Sequence, residues 1–332
     1  MTALTREINK LTTTEKMMNT LKNIANKMSN TLLLPLIGIT IFLFLWSLSA
    51  KNIHTSLGDF PGPHAVVKQF SSLYSEHVTE REKAEAFYQR QKKRNAAKLV
   101  KNPNYLAKTR AYTGKETFFD QIVTSLITVT CGFLVAAIIA IPLGIWMGLS
   151  RRLNASFNPI VQIFKPVSPL AWLPLVTMVV SALYVSDDPM VSKSFLTSLI
   201  TVSLCSLWPM VINTSIGVAT IHSDLLNVSK VLRLPTMTHI QKIVIPASIP
   251  MIFTGMRLSF SVAWMVLIAA EMLAQNPGLG KFVWDEFQNG SSDSLARIMA
   301  AVIVIGFIGF ILDRGMLQLQ RKVSWDKSNA SV

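Results

Sequence analysis

With 332 residues, 50% of them hydrophobic and only 15% charged, the chain lies far from a soluble domain, in which about 25% of residues are charged. Its apolar residues gather in blocks that can cross a bilayer, which takes about 20 residues as a helix, so composition excludes a soluble enzyme and indicates an all-α polytopic membrane protein. The net charge of +14 then reports which side of the membrane each loop occupies, and no nucleic-acid partner is expected.

Residues 1–30 are polar and basic (Arg6, Lys10, Lys16, Lys22, Lys27), and the first span, expected over 31–50, follows directly. Its apolar core, Leu32–Leu48, exceeds the roughly 7–15 residues of a signal-peptide core and follows a long leader. An uncleaved anchor with the basic tail in the cytoplasm is therefore preferred to cleavage near Ser47 and Ser49. Residues 51–118 then lie outside, although bases outnumber acids there. The rule that bases stay inside applies to loops of about 60 residues or fewer, and this stretch sits at that limit. Within it Thr79-Glu80-Arg81-Glu82 reads as a capping box opening a helix over about 79–101. Acids fill its early turns and Arg90, Lys92, Lys93, Arg94 and Lys98 its late ones, the order the helix dipole favours. Asn102-Pro103 ends it.

Residues 119–318 form a core of five expected spans, followed by a cytoplasmic tail over 319–332. The first of these, Ile122–Leu149, carries Gly144-x-x-x-Gly148, which lets helix backbones approach closely; Arg151 and Arg152 mark its cytoplasmic end. The next begins near Pro166 and holds Pro166, Pro169 and Pro174, whose freed carbonyls are tolerated in a membrane against protein or a water-filled path. An acidic turn, Ser186–Pro189, suits the outside. Phe195–Val218 returns to the cytoplasm. Ile249–Leu273 goes out again, with Arg257 able to snorkel inward and Glu271 near its outer end. The polar stretch 275–297 lies outside, and a short last span, Ile298–Leu312, ends at Asp313-Arg314. Cys131 and Cys205 both sit within apolar spans, which suits neither a disulfide framework nor a metal site.

Between the fourth and fifth spans lies a polar island, residues 222–246. Ser223-Asp224 offer an N-cap, a short helical run breaks at Leu234-Pro235, and a second run reaches Pro246. Helices this short need something to pack on. The spacing resembles the cytoplasmic coupling loop of ABC-importer permeases, E-A-A, three residues, Gly, nine residues, I-x-L-P. Asn227, Val228 and Ser229 stand in the E-A-A places, Arg233 in the glycine place, and Ile243, Ile245 and Pro246 close the pattern. Three further blocks, Phe164–Pro189, Leu204–Val218 and Ile252–Gly290, resemble permease subunits of nitrate-type ABC importers, in the nitrate/sulfonate/taurine group. The resemblance does not extend to residues 51–118.

That resemblance implies a type I importer permease in a bacterial inner membrane, with about six spans and both termini cytoplasmic. It implies a second permease copy forming the pathway, cytoplasmic ATPase subunits, and an external binding protein that delivers nitrate or nitrite. A sulfonate or taurine importer is the nearest alternative; a stand-alone channel or membrane enzyme is further off. The chain carries no nucleotide-binding glycine loop or hydrolase motif, so it is read as a non-catalytic subunit without a cofactor. Asp224, Leu225, Asn227, Val228, Ser229, Leu232, Arg233 and Pro246 are the candidate ATPase contacts. Lys165, Ser168, Trp172, Ser206, Arg257 and Glu271 are candidate pathway residues, and Arg90, Lys92, Lys93 and Arg94 a candidate docking patch for the binding protein.

Overall fold

A computed structural model describes residues 33–55, 58–102, 106–107, 109–185, 191–291 and 293–323. The basic tail 1–30, the turn Ser186–Pro189, and residues 324–332 of the C-terminal tail lie outside the described residues. The chain divides into two compact units after Lys68, a boundary inside the expected loop rather than at its ends.

The first unit holds α1 (Leu34–Asn52), which has Pro35 in its first turn and no buried residue, as suits a helix whose solvent is lipid. Two short strands follow, β1 (His54–Thr55) and β2 (Gly58–Asp59), paired antiparallel. The Trp46 indole N–H donates to the Pro61 carbonyl at 3.0 Å and ties the turn back to the end of α1.

The second helix, α2, runs from Pro63 to Lys101, so the expected start near Thr79 is wrong. Proline has no N–H to leave unpaired in a first turn, and nothing between His64 and Val78 breaks a helix. The helix is under way well before the Thr79–Glu82 sequence, which sits in its interior.

From Gln69 onward the second unit is built around α6 (Lys193–Ala219), against which α3 (Phe118–Leu149) and α9 (Ile245–Ala274) pack most extensively. α3 opens with a capping box: the Thr117 hydroxyl accepts the Asp120 N–H, and Asp120 accepts the Thr117 N–H at 3.1 Å. The T-x-x-D spacing of Thr117 and Asp120 is the local sequence signal for this cap. α6 buries hydroxyl residues, Thr197, Ser198, Thr201, Ser203, Ser206, Thr214 and Ser215 among them. Several return a hydrogen bond to their own helix, as Ser206 does to Val202 O at 2.7 Å. Against them α3 presents Gly132, Gly144 and Gly148, and α9 presents Gly255.

After α3, Arg151 and Arg152 do not simply end a span. They open α4 (Arg151–Phe164), an amphipathic helix capped by Ser150, and a 99° bend separates it from α5 (Pro169–Leu183). α5 has 15 residues, short of a full crossing. The expected third span is thus the second arm of a bent pair. Beyond α6 come α7 (Ser223–Val231) and α8 (Thr236–His239), a π turn over Ile240–Val244, and then α9. The polar stretch after α9 contains an unforeseen helix, α10 (Leu279–Asn289). The last helix, α11, spans Ser294–Val323 and does not stop at Asp313, because Arg257 of α9 neutralises that carboxylate. Among the described residues, five helical stretches are long and apolar enough to cross a membrane, and six if α4–α5 counts as one. This is the all-α, roughly six-span architecture expected.

A methyl group at Gly144 would lie 2.6 Å from Thr214 Cβ and 2.9 Å from the Val211 carbonyl oxygen. A backbone oxygen cannot turn aside, so Gly144→Ala should cost about 1–3 kcal/mol, read as a lower unfolding midpoint of the detergent-solubilised protein. Gly306→Ala, where nothing lies within 4 Å, should leave the midpoint unchanged.

Candidate functional site

The stretch between α6 and α9 folds as two short helices held together by one side-chain bond. Ser229, buried on α7, meets His239 Nδ1 of α8 at 2.8 Å. Ser229 is thus committed within the chain and offers no surface to a partner. The cap of α7 is His222 rather than Ser223, with no side-chain bond to the first turn. At its other end the Arg233 N–H donates to Lys230 O and the Leu234 N–H to Ser229 O, both at 3.1 Å. This is the Schellman pattern, whose C′ residue is left-handed and usually glycine. Arg233 holds that place with φ 46°, which gives a backbone reason for a glycine in the general signature.

Beside the exposed polar residues Ser223, Asp224, Asn227 and Lys230, α7 and its C-cap show an apolar strip. Leu225 is 45% exposed, Val228 51%, Leu232 62% and Val231 81%. Asp224, Asn227, Val228, Val231 and Leu232 line one shallow hollow. Val231 was not among the expected contacts, although its position three residues after Val228 puts it on the same side. Pro246 sits in the first turn of α9, where it initiates the span. Through the π turn and α9, residues 236–274 form one long helical stretch.

The expected pathway residues fall into separate places. Glu271 does not reach water. It is fully buried, and its carboxylate accepts the Ser125 hydroxyl of α3 at 2.8 and 2.9 Å and the Gly280 N–H at 3.0 Å. Ser125 in turn accepts the Leu279 N–H at 2.9 Å. The start of α10 is thus capped by side chains from α3 and α9. A Cβ at Gly278 would come within 2.3 Å of that carboxylate, which is why the turn needs glycine. Arg257 does not snorkel free. It grips Asp313 of α11 through Nε at 2.6 Å and an Nη at 2.9 Å. Ser206 is buried and bonded to its own helix.

Lys165, Ser168 and Trp172 gather at the α4–α5 bend. Lys165 ends α4, Ser168 caps α5, and the Phe164 ring lies 5.7 Å from Trp172 and 5.9 Å, stacked, from Trp208. The indole N–H groups of Trp172 and Trp208 are buried and have no partner among the described residues.

A second polar assembly, absent from the sequence reading, fixes α2 to the core. Arg297 of α11 holds Glu76 of α2 at 2.7 and 2.9 Å and Glu286 of α10 at 2.7 Å. His77 of α2 meets the Thr117 hydroxyl at 2.6 Å, and Arg81 pairs with Asp120. Farther along, the segment 109–117 returns beside α2: Gln91 donates to Arg110 O, and Tyr112 bonds Tyr88 and Glu80. The hydrogen bonds from Arg297 hold the Glu76 carboxyl below the usual carboxylate range. A carboxyl with a depressed folded-state pKa stabilises the fold above its unfolded value and loses that contribution as pH falls through the folded one. Arg90, Lys92, Lys93 and Arg94 are all exposed on α2.

Residues 140–325 match the family described as binding-protein-dependent transport system inner membrane component. The chain belongs to this family. Among relatives, it is 34% identical to the bicarbonate transport system permease protein CmpB of Synechococcus elongatus over 87% of this chain and 88% of that protein. It is 35% identical to the nitrate import permease protein NrtB of the same species over 63% of this chain and 75% of that one. In fold it matches a chain of the inward-facing MetNI methionine ABC transporter, with a TM-score of 0.54 and 12% identity over 62% of this chain and 95% of the other. The protein is therefore a multi-span permease of the ABC-importer type and a transport subunit rather than an enzyme.

In this permease, Arg233 carries the cost of a left-handed backbone, about 1–2 kcal/mol for a residue with a Cβ. Arg233→Gly should raise the unfolding midpoint or leave it level, and Arg233→Val, β-branched, should lower it. The opposite order would remove the backbone explanation for that position.

Proposed function

We propose that this chain, paired with a second copy of itself, lines the path of an ATP-driven importer for a small planar oxyanion, nitrate or bicarbonate. In this reading α7 faces the cytoplasm and both termini lie there. External binding protein delivers the anion, and separate ATPase subunits take hold of α7. The observation that carries it is the apolar face of Leu225, Val228, Val231 and Leu232, exposed at the foot of a helix that runs without interruption from Thr236 to Ala274. Apolar residues massed on so short a helix call for a protein groove, and closure of an ATPase pair around them moves α9 as a rigid body.

Nitrate and bicarbonate share a flat, singly charged shape. It suits the cluster at the α4–α5 bend, where the indole donors of Trp172 and Trp208 have no partner among the described residues and Lys165 is exposed. The nitrate reading rests on the core blocks alone. The bicarbonate reading gains from length. An alignment over 87% of the chain has to include part of residues 51–118, whereas 63% is close to the share of the core alone.

Reconstitution separates these readings. The chain alone in liposomes should take up neither labelled anion. With its ATPases, binding protein and ATP it should take up one of them, suppressed by excess of the same unlabelled anion. Uptake by the chain alone without ATP would overturn the importer in favour of a channel. Uptake suppressed only by an alkyl sulfonate would overturn the planar-anion assignment.

A further inference from the structure

The far half of α2 is the part of the second unit that the transport reading leaves unused. α2 is a 39-residue helix, so from Arg81, its last tie to α3, to Lys101 it runs for about 30 Å at 1.5 Å per residue. Three observations bear on what it does. First, its base is pinned: Glu76 to Arg297, His77 to Thr117 and Arg81 to Asp120 hold it on the ends of α3 and α11. Second, it is braced as far as Gln91 by the returning segment, which bonds Glu80, Tyr88 and Gln91. Third, residues 86–102 contain bases and no acid. At 3.6 residues per turn, Arg90, Lys93, Arg94 and Lys101 fall on one side of the helix, all exposed, while Lys92 falls on the other. Near the tip Val100 is 86% exposed and Leu106 87%.

We propose that α2 and its return segment form a rigid docking arm for the solute-binding protein, with the strip Arg90, Lys93, Arg94 and Lys101 set against an acidic face of that protein and Val100 and Leu106 packing at the edge of the contact. This rests on the importer reading above. A pinned and braced helix keeps its charges in register, which is what complementary charge across an interface needs in order to speed and orient encounter. A free oxyanion has no use for a strip of this length, since charge on an exposed helix is screened within about 8 Å at physiological salt. A lipid surface is disfavoured because Leu99 and Val100 are consecutive and do not share a face. The far half of the arm therefore lacks the apolar side that lets a helix lie in an interface. The expected patch is also corrected: Lys92 belongs to a different side from the other three.

The test uses the assembled transporter in nanodiscs and reads ATPase stimulation as loaded binding protein is titrated in. In the triple variant Arg90→Glu, Lys93→Glu, Arg94→Glu the half-saturating concentration should rise about tenfold or more, with the same maximal rate at saturation and the same unstimulated rate. The neutral triple change to Gln should shift it less, and Lys92→Glu should not shift it. Stimulation of the parent that the triple variant leaves unaltered overturns the arm while keeping the importer. A fall in maximal rate that excess binding protein cannot restore also overturns it, and so does a shift that follows anionic lipid content instead of the substitutions. Absence of stimulation in the parent itself would instead overturn the importer reading.

Discussion

Helices in a bilayer gain nothing by hiding apolar side chains from one another, because the lipid is as apolar as they are. Association must come from close approach and from polar groups that have no other partner. α6 is built for both. Gly132, Gly144 and Gly148 of α3 bring that helix so near that an added methyl at each would fall within 2.8 Å of an α6 side chain. Gly255 of α9 does the same from another side, with Asn213 Cβ at 2.8 Å. Thr201, Ser203 and Ser206 of α6 return their hydroxyls to their own helix, and Ser203 also donates to the Gly132 carbonyl of α3, which helps a hydroxyl-rich helix sit at the centre of a membrane protein.

With α6 fixed between α3 and α9, two polar nodes tie the remaining elements on. At one end of α9, Glu271 and Ser125 cap α10, and Arg297 joins α10 to α11 and α2. Nearer its middle, Arg257 and Asp313 lock α9 to α11. At the other end of α9 the chain passes through a π turn into α8 and α7, and Ser229 and His239 keep those two short helices together. In the proposed importer, a partner that displaced α7 would act on a helix anchored along its length. That is the mechanical content of the importer reading, and it requires no group on this chain to do chemistry.

Much of this was legible. The spans stood out by hydropathy, and the two short helices of residues 222–246 by their N-terminal signal and a proline break. Gly144-x-x-x-Gly148 announced a close contact, and the α6 side of it is where the contact falls. Other features were hidden for physical reasons. Long-range pairs such as Arg257–Asp313 and Glu271–Ser125 leave no local signature, so an intramembrane charge read alone looks like a snorkelling or pathway residue. The length of α2 was misjudged because a capping-box sequence also occurs inside helices, where its side chains serve other partners: Glu80 bonds Tyr112, and Arg81 bonds Asp120. α4 was missed because an amphipathic helix opening on Arg151-Arg152 has the same first residues as a polar loop.

The central claim is that α7 is the surface through which the motor moves this permease. The most direct measurement places aspartate at Val228 and Val231, where it would be buried unpaired in a partner groove at a cost of several kcal/mol, and recovers the tagged permease from membranes that also contain the ATPase subunits. The account requires normal membrane insertion, an unchanged unfolding midpoint and loss of the co-purifying ATPase. Full recovery of the ATPase with the doubly substituted permease would contradict it.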